Sequence, residues 1–243
     1  MDENELHRQV HPLDRHEGFC FACHAGVPCF TECCRQLDLG LSPYDVLRLK
    51  KNLGLTSEQF LERYAVVEQS EDNVFPQVFL AMVDDGRASC PFVGPEGCRV
   101  YPDRPGACRL YPVGRGASRQ ADGSMEEQFV LLQEPHCQGF LQPVDQNVAA
   151  WLADQKLQSY LSHNDTLTAI VQHPKIRQGM VPTKKQLDTF LLALYNLDLF
   201  RPLALSPEIR DIAEQEGFSA PELADDERLL HFATVWLLRY LFS

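Results

Sequence analysis

Five cysteines fall within the stretch CFACHAGVPCFTECC, from Cys20 to Cys34. Two residues separate Cys20 from Cys23, five separate Cys23 from Cys29, three separate Cys29 from Cys33, and Cys34 follows directly. Cys90, Cys98, Cys108 and Cys137 come later as single residues with seven, nine and twenty-eight residues between them, and no cysteine lies beyond them. Thiols at this density do one of three things: they form disulfides, exchange electrons, or bind soft metals as thiolates. A complete disulfide framework fits poorly, because the nine cysteines are odd in number. Vicinal Cys33 and Cys34 also have α-carbons only about 3.8 Å apart, below the roughly 4.4–6.8 Å that a disulfide spans.

The compartment points the same way. The opening MDENELHRQVHPLD carries both signs of charge and no apolar run, and no apolar stretch elsewhere is long enough to span a membrane. A reducing cytoplasm is therefore expected, and in it a cysteine cluster reads as metal-binding before it reads as a disulfide scaffold. All nine cysteines are candidate ligands, with Cys137 placed to close the site. Four thiolates satisfy a structural zinc or a [4Fe–4S] cluster alike. The later singletons do not form a second C-x2-C knuckle, so the reading favours an iron–sulfur cluster of the [4Fe–4S] type, with zinc as the alternative.

Other side chains near the thiols admit two readings each. His7, His11 and His16 lie in an N-terminal arm and read as solvated, without the spacing of a paired metal site. His24, beside Cys23, suits either a hydrogen-bond donor behind a ligand or an exposed group. Arg87, Arg99, Arg104, Arg109, Arg115 and Arg119 crowd the segment that holds three of the cysteines. They either neutralise a negatively charged thiolate centre or pair with Asp84, Asp85, Glu96 and Asp103.

Around this chemistry the chain must supply positioning elements. Ser42, Pro43 and Asp45 start a helix that runs to Leu53 and stops at Gly54, and Thr56 with Gln59 forms a capping box for a second helix through EQFLERY. This hairpin is expected beside the cysteine site. Residues 74–83 are rich in strand formers, and Asp84-Asp85-Gly86 suggests a hairpin leading to Cys90. From there to Gly114, recurring Gly and Pro predict turns, with one helical turn near Asp103–Ala107, and Phe129–Gln133 reads as a strand. Beyond Pro143, apolar residues at helical spacing recur in WLADQKLQSYL, KKQLDTFLLALYNLDLF, SPEIRDIAEQEG and DDERLLHFATVWLLRYLF, with Thr183 and Ser206 as caps. The last of these reads as a buried core helix. Lys184, Lys185 and the carboxylates Asp225–Glu227 read as solvated.

The ordered set of the cysteine cluster, LSPYDVLRLKKNLGL, FLERY, CPFV, GCRVYPDRP and CRLYP resembles the YkgJ-type cysteine-cluster (CxxCxxCC) family over residues 20–140. That family is described as a zinc- or iron-chelating domain, and a related cysteine region occurs in flagellin lysine N-methylase. The usual family core reads CxxCxxCC, whereas here five residues separate Cys23 from Cys29; Cys33, Cys34, Cys90, Cys98 and Cys108 map directly. The resemblance implies metal chelation and supplies no substrate.

The expected protein is thus α-rich α+β. An arm (1–19) leads into a small cysteine-rich metal module with short strands and a helix hairpin (20–140), followed by a helical C-terminal region packed on it (141–243). A net charge of -12 and the absence of basic runs argue against nucleic acid. No P-loop, GxGxxG or nucleophile–base signature assigns a catalytic residue. Three functions remain: an iron–sulfur protein with a redox or protein-modification-assisting role, a structural zinc-binding interaction module, and, by analogy alone, an S-adenosylmethionine-dependent protein methyltransferase. The partner classes are a protein substrate or a redox partner, with no membrane expected.

Overall fold

A computed structural model describes residues 9–243; His7 lies outside them. The strands are β1 (Gln9–Leu13), β2 (Gly18–Cys20), β3 (Ala65–Glu68), β4 (Gln77–Leu80), β5 (Val93–Gly94), β6 (Gly97–Cys98), β7 (Val113–Arg119), β8 (Met125–Gln133) and β9 (Asp145–Asn147). The helices are α1 (Pro43–Leu53), α2 (Ser57–Tyr64), α3 (Gly106–Leu110), α4 (Val148–Asp154), α5 (Gln158–Val171), α6 (Pro174–Arg177), α7 (Lys184–Tyr195), α8 (Leu197–Ala204), α9 (Pro207–Gln215) and α10 (Asp226–Phe242). This is the α-rich α+β composition expected. None of these helices is long and apolar enough to cross a membrane.

The chain forms two compact units, and each is discontinuous in sequence. One comprises the chain up to Leu39 together with Met82–Leu161; the other comprises Gly40–Ala81 and Ser162–Ser243. The helix hairpin α1–α2, read from sequence as part of the cysteine module, therefore belongs with the later helices. Residues 145–161, read as the start of the helical region, belong with the cysteines.

The first unit, which holds all nine cysteines, is built on short strands and one aromatic cluster. In the described part of the arm, β1 pairs antiparallel with β8, placing Leu13 opposite Phe129, and β2 pairs with β9, placing Cys20 opposite Asp145. The sheet order is β1-β8-β7. Strand β8 extends further than Phe129–Gln133 because β7 hydrogen-bonds to it across a turn at Gly123, whose φ of 86° favours glycine. Phe21, nearly fully buried, packs edge-on against Tyr111 and Trp151 and against Phe140, with centroids 5.8, 5.6 and 5.2 Å away. Trp151 donates its indole N–H to the Leu110 carbonyl at 2.9 Å, so α4 and α3 share one anchor. Offset aromatic pairs of this kind each add about 0.5–1.5 kcal/mol to the area they bury.

The second unit follows the sequence periodicity closely. The Ser42 and Thr56 capping boxes form as expected, Gly54 ends α1 in the left-handed conformation, and Thr183 caps α7 with a third box. Helix α10 buries Leu229, Leu230, Phe232, Ala233, Leu237 and Leu241, as a core helix should. The expected strand over 74–83 shrinks to β4, paired with β3. In the first unit the Asp85–Gly86 turn closes only a single bridge, Val83 to Ser89.

The carboxylates Asp225–Glu227, read as solvated, take part in specific pairs, and a lysine of α1 is buried beside one of them. Lys50, on α1, is 4 % exposed and reaches Asp198 at 3.0 Å and Asp226 at 3.1 Å. Asp226 also pairs with Arg201, and Asp225 caps α10 by accepting from the Glu227 and Arg228 amides. Glu227 accepts from the Tyr44 hydroxyl at 3.1 Å. A charge removed from water this far has to be paired, and sequence periodicity alone does not say with what.

Candidate metal centre

Three backbone contacts bring the cysteine segments together. The Cys90 amide donates to the Cys34 carbonyl at 2.8 Å, joining the vicinal pair to the segment before β5. The Ala22 amide donates to the Gly139 carbonyl at 3.1 Å, and the Gln138 amide donates to Cys29 Sγ at 3.1 Å. Together the last two fold residues 137–141 back onto the cluster more than a hundred positions earlier. Only glycine fits at 139: a Cβ there would sit 2.6 Å from Phe21 Cε2 and 2.9 Å from the Ala22 carbonyl.

The β5–β6 hairpin adds one more thiol, with Cys98 opposite Val93 and the Arg99 amide bonded to the Phe92 carbonyl at 2.9 Å. Gly97 makes that turn at φ 109°, with Phe30 against its α-carbon. Here the expected helical turn near Asp103–Ala107 appears as a 3-10 turn over Tyr101–Asp103 followed by α3, which carries Cys108.

The sulfurs are linked by mutual electrostatic influence. Cys23 feels Cys33, Cys137 and Cys29; Cys33 hydrogen-bonds to Cys34; Cys98 feels Cys33, and Cys90 feels Cys98. Seven of the nine predicted ligands are thereby connected. Cys20 is exposed in β2, and exposed Cys108 shares Arg104 with Cys98 as a nearby charge. Among the described residues no three Cys, His, Asp or Glu side chains already converge on one metal position. The sulfurs influence one another without forming a ready coordination sphere.

Their electrostatics match what a cation would relieve. Burial raises Cys23 to about 11, with the adjacent Cys33, Cys137 and Cys29 adding to it, although the residue as a whole is exposed. Cys33 is pushed up by its bond to Cys34 and by burial, and burial also raises Cys90, Cys98 and Cys137. Without a cation these thiols hold their protons at neutral pH, and a bound metal would displace them. Backbone amides already point at several sulfurs. Phe92 N–H lies 3.5 Å from Cys90 Sγ, Val100 serves Cys98, and Gly139 serves Cys137, each two residues beyond its cysteine. Donors so placed stabilise the thiolate form, which is the form that ligates. The donor set therefore fits a thiophilic metal.

The remaining candidates resolve individually. His24 accepts from the Gly26 amide at 3.1 Å and turns into its own loop, and His11 meets Gln9. Arg87 pairs with Glu32 at 3.0 Å and Arg115 with Glu127 at 2.7 Å, so their carboxylates differ from the expected Asp84, Asp85, Glu96 and Asp103. Arg99 donates to the Pro91 carbonyl and lies near Cys98. Arg109 is buried and structural: it donates to the carbonyls of Arg104, Pro102 and Gln155 and lies 4.8 Å from the Tyr160 ring centroid. Sequence reasoning missed Tyr111, whose buried hydroxyl has no partner at full hydrogen-bond geometry and lies beside Cys137. It also missed Gly139, though a glycine two residues after the last cysteine was a visible signal.

A thiol-rich site assembled by loops in an α-rich α+β protein is the class these observations define. Within it, residues 22–138 match the CxxCxxCC family, described as "Putative zinc- or iron-chelating domain". The match takes in every cysteine except Cys20. No curated protein and no solved structure matches the chain.

Proposed function

We propose that this protein carries an iron–sulfur centre on thiolates drawn from Cys23, Cys29, Cys33, Cys34, Cys90, Cys98 and Cys137, and that it exchanges electrons with, or assists modification of, a partner protein. The observation that carries the reading is the electrostatic linkage of seven sulfurs. These sulfurs are drawn from three separate segments without paired C-x2-C knuckles, which departs from the pattern of a zinc ribbon. A bound cluster would supply one-electron chemistry. The chain's own part is to hold the sulfurs as thiolates with the Gln138, Phe92, Val100 and Gly139 amides, and to wall one side from water with Phe21, Tyr111 and Phe140. Half-buried sulfurs keep such a centre near the surface, within reach of a redox partner.

Anaerobic purification followed by iron, zinc and acid-labile sulfide analysis tests this. The expected protein is brown, absorbs near about 400 nm and bleaches on reduction. Colourless protein with stoichiometric zinc would replace the iron–sulfur reading with a structural zinc module.

A further inference from the structure

We propose that the open edge of β3 is a docking site for an extended segment of another protein, one that carries basic residues between small apolar ones and adds to the sheet as a further strand. The inference concerns the second unit and does not rest on the metal centre. Strands β3 and β4 pair antiparallel in continuous register, from Ala65 opposite Leu80 to Glu68 opposite Gln77. The Ala81 amide donates to the Tyr64 carbonyl at 2.8 Å, one step further along the same register, and this bond fixes the phase of the ladder. Backbone groups of successive residues point to opposite sides of a strand. Val66 and Glu68 therefore turn theirs toward β4, while Val67 turns its N–H and carbonyl outward, as Ala65 does its carbonyl. The Ala65 amide is already bonded to the Leu61 carbonyl at the end of α2. On its far side β4 is covered, because the Leu41 amide donates to the Val78 carbonyl at 2.7 Å and Gly40 bridges Phe79. Among the described residues, β3 is thus the open edge of this sheet.

The edge lacks devices that ordinarily keep strand edges apart. Strand β3 holds no lysine, no proline and no bulge, and its Val66 and Val67, on opposite faces, are 45 % and 50 % exposed. Charge decides the occupant. From α2 through β4 the chain exposes Glu58, Glu62, Glu68, Glu71 and Asp72 against Arg63 alone, and none of these carboxylates forms an ion pair among the described residues. A second copy of this chain would bring the same carboxylates to the edge, and like charges across a contact oppose association. An extended segment with lysine or arginine at alternate positions meets them with opposite charge. It also takes up the outward backbone groups of Ala65 and Val67 and covers the two valines, as strands added to a sheet edge do.

The test uses the full-length chain and an end-capped Lys-Val-Lys-Val-Lys peptide at up to millimolar concentration, followed by NMR titration and amide hydrogen exchange. The outward Val67 N–H is expected to exchange fast in the free protein and to slow about tenfold or more with the peptide bound. The same peptide methylated on its backbone nitrogens keeps its charge and loses its strand hydrogen bonds, and it should bind about tenfold more weakly or worse. A Glu-Val-Glu-Val-Glu peptide should be weakened to the same degree, and added salt should weaken the lysine peptide. Val67→Pro removes the outward N–H while leaving the Val66 and Glu68 bonds to β4, and it should abolish binding. Should that variant fail to fold, Val67→Lys, a change at an exposed side chain, sets a like charge against the lysine peptide and is expected to weaken it. Equal binding of the methylated peptide, or unchanged Val67 exchange, would mark general attraction to an acidic surface and overturn the inference. Equal binding of the lysine and glutamate peptides would overturn the choice of a basic partner. Val67 protection that grows with protein concentration alone, together with a dimer in sedimentation, would replace that partner with a second copy of the chain.

Discussion

The two units spend their sequence differently. The second closes its helices with capping boxes at Ser42, Thr56 and Thr183 and fills its core with Phe60, Phe190, Phe200 and Phe232, all nearly fully buried. The first has short strands, one aromatic cluster around Phe21, and a group of thiols that keep their protons at neutral pH without a cation. The helical unit draws stability from apolar burial and local hydrogen bonding. The cysteine unit has a polar centre that a bound metal would stabilise by displacing those protons. Removing an ion would loosen the cysteine unit and not the helical one.

Metal removal should separate them most sharply. Calorimetry before and after chelation is expected to show one transition that moves far down in temperature and one that stays, because metal-binding energy is folding energy when the unfolded chain holds no site. Cys33→Ser should reproduce the shift with metal present, since Cys33 is linked to Cys23, Cys34 and Cys98 at once. If both transitions move together under chelation, the contrast fails.

Core truncation should do the opposite. Phe232→Ala, at a side chain with no exposed surface, is expected to cost about 3–5 kcal/mol in the second unit. Bound metal per chain should stay unchanged. A smaller effect, about 1–3 kcal/mol, is expected from Gly139→Ala, because the new methyl group meets Phe21 and the Ala22 carbonyl. Here metal content should fall with stability, since residues 137–141 deliver Cys137. A Gly139→Ala protein with full metal content would show that the close approach serves packing alone.

The smallest effect concerns pH. His163 stacks on Tyr44 with centroids 4.2 Å apart, and burial holds its pKa below the ordinary 6.5, with Glu227 opposing the shift. The unfolded chain therefore takes up this proton first as the pH falls through 6.5, and stability is lost from there down to the folded-state value. The second unit's melting temperature should decline more steeply in wild type than in His163→Phe between about pH 7 and 5. Parallel curves would assign the acid sensitivity to other groups.

Local chemistry made the second unit readable from its residues. A cap, a helical repeat and a terminating glycine act within a few positions, so α1, α2, α7 and α10 follow from neighbours in sequence. The buried pairing of Lys50 with Asp198 and Asp226 did not follow, because its partners lie more than a hundred positions away and carry no local signal.

In the first unit the identity of the chemistry was legible and its assembly was not. Nine thiols at these spacings point to metal binding, and the family match over 22–138 agrees. Which sulfurs become neighbours depended on contacts between distant segments: Gln138 N–H on Cys29 Sγ, Cys90 N–H on the Cys34 carbonyl, and Gly139 against Phe21. Spacing constrains only the reach of one chain segment, whereas a multi-segment site is defined by where separate segments meet, and only the folded backbone specifies that.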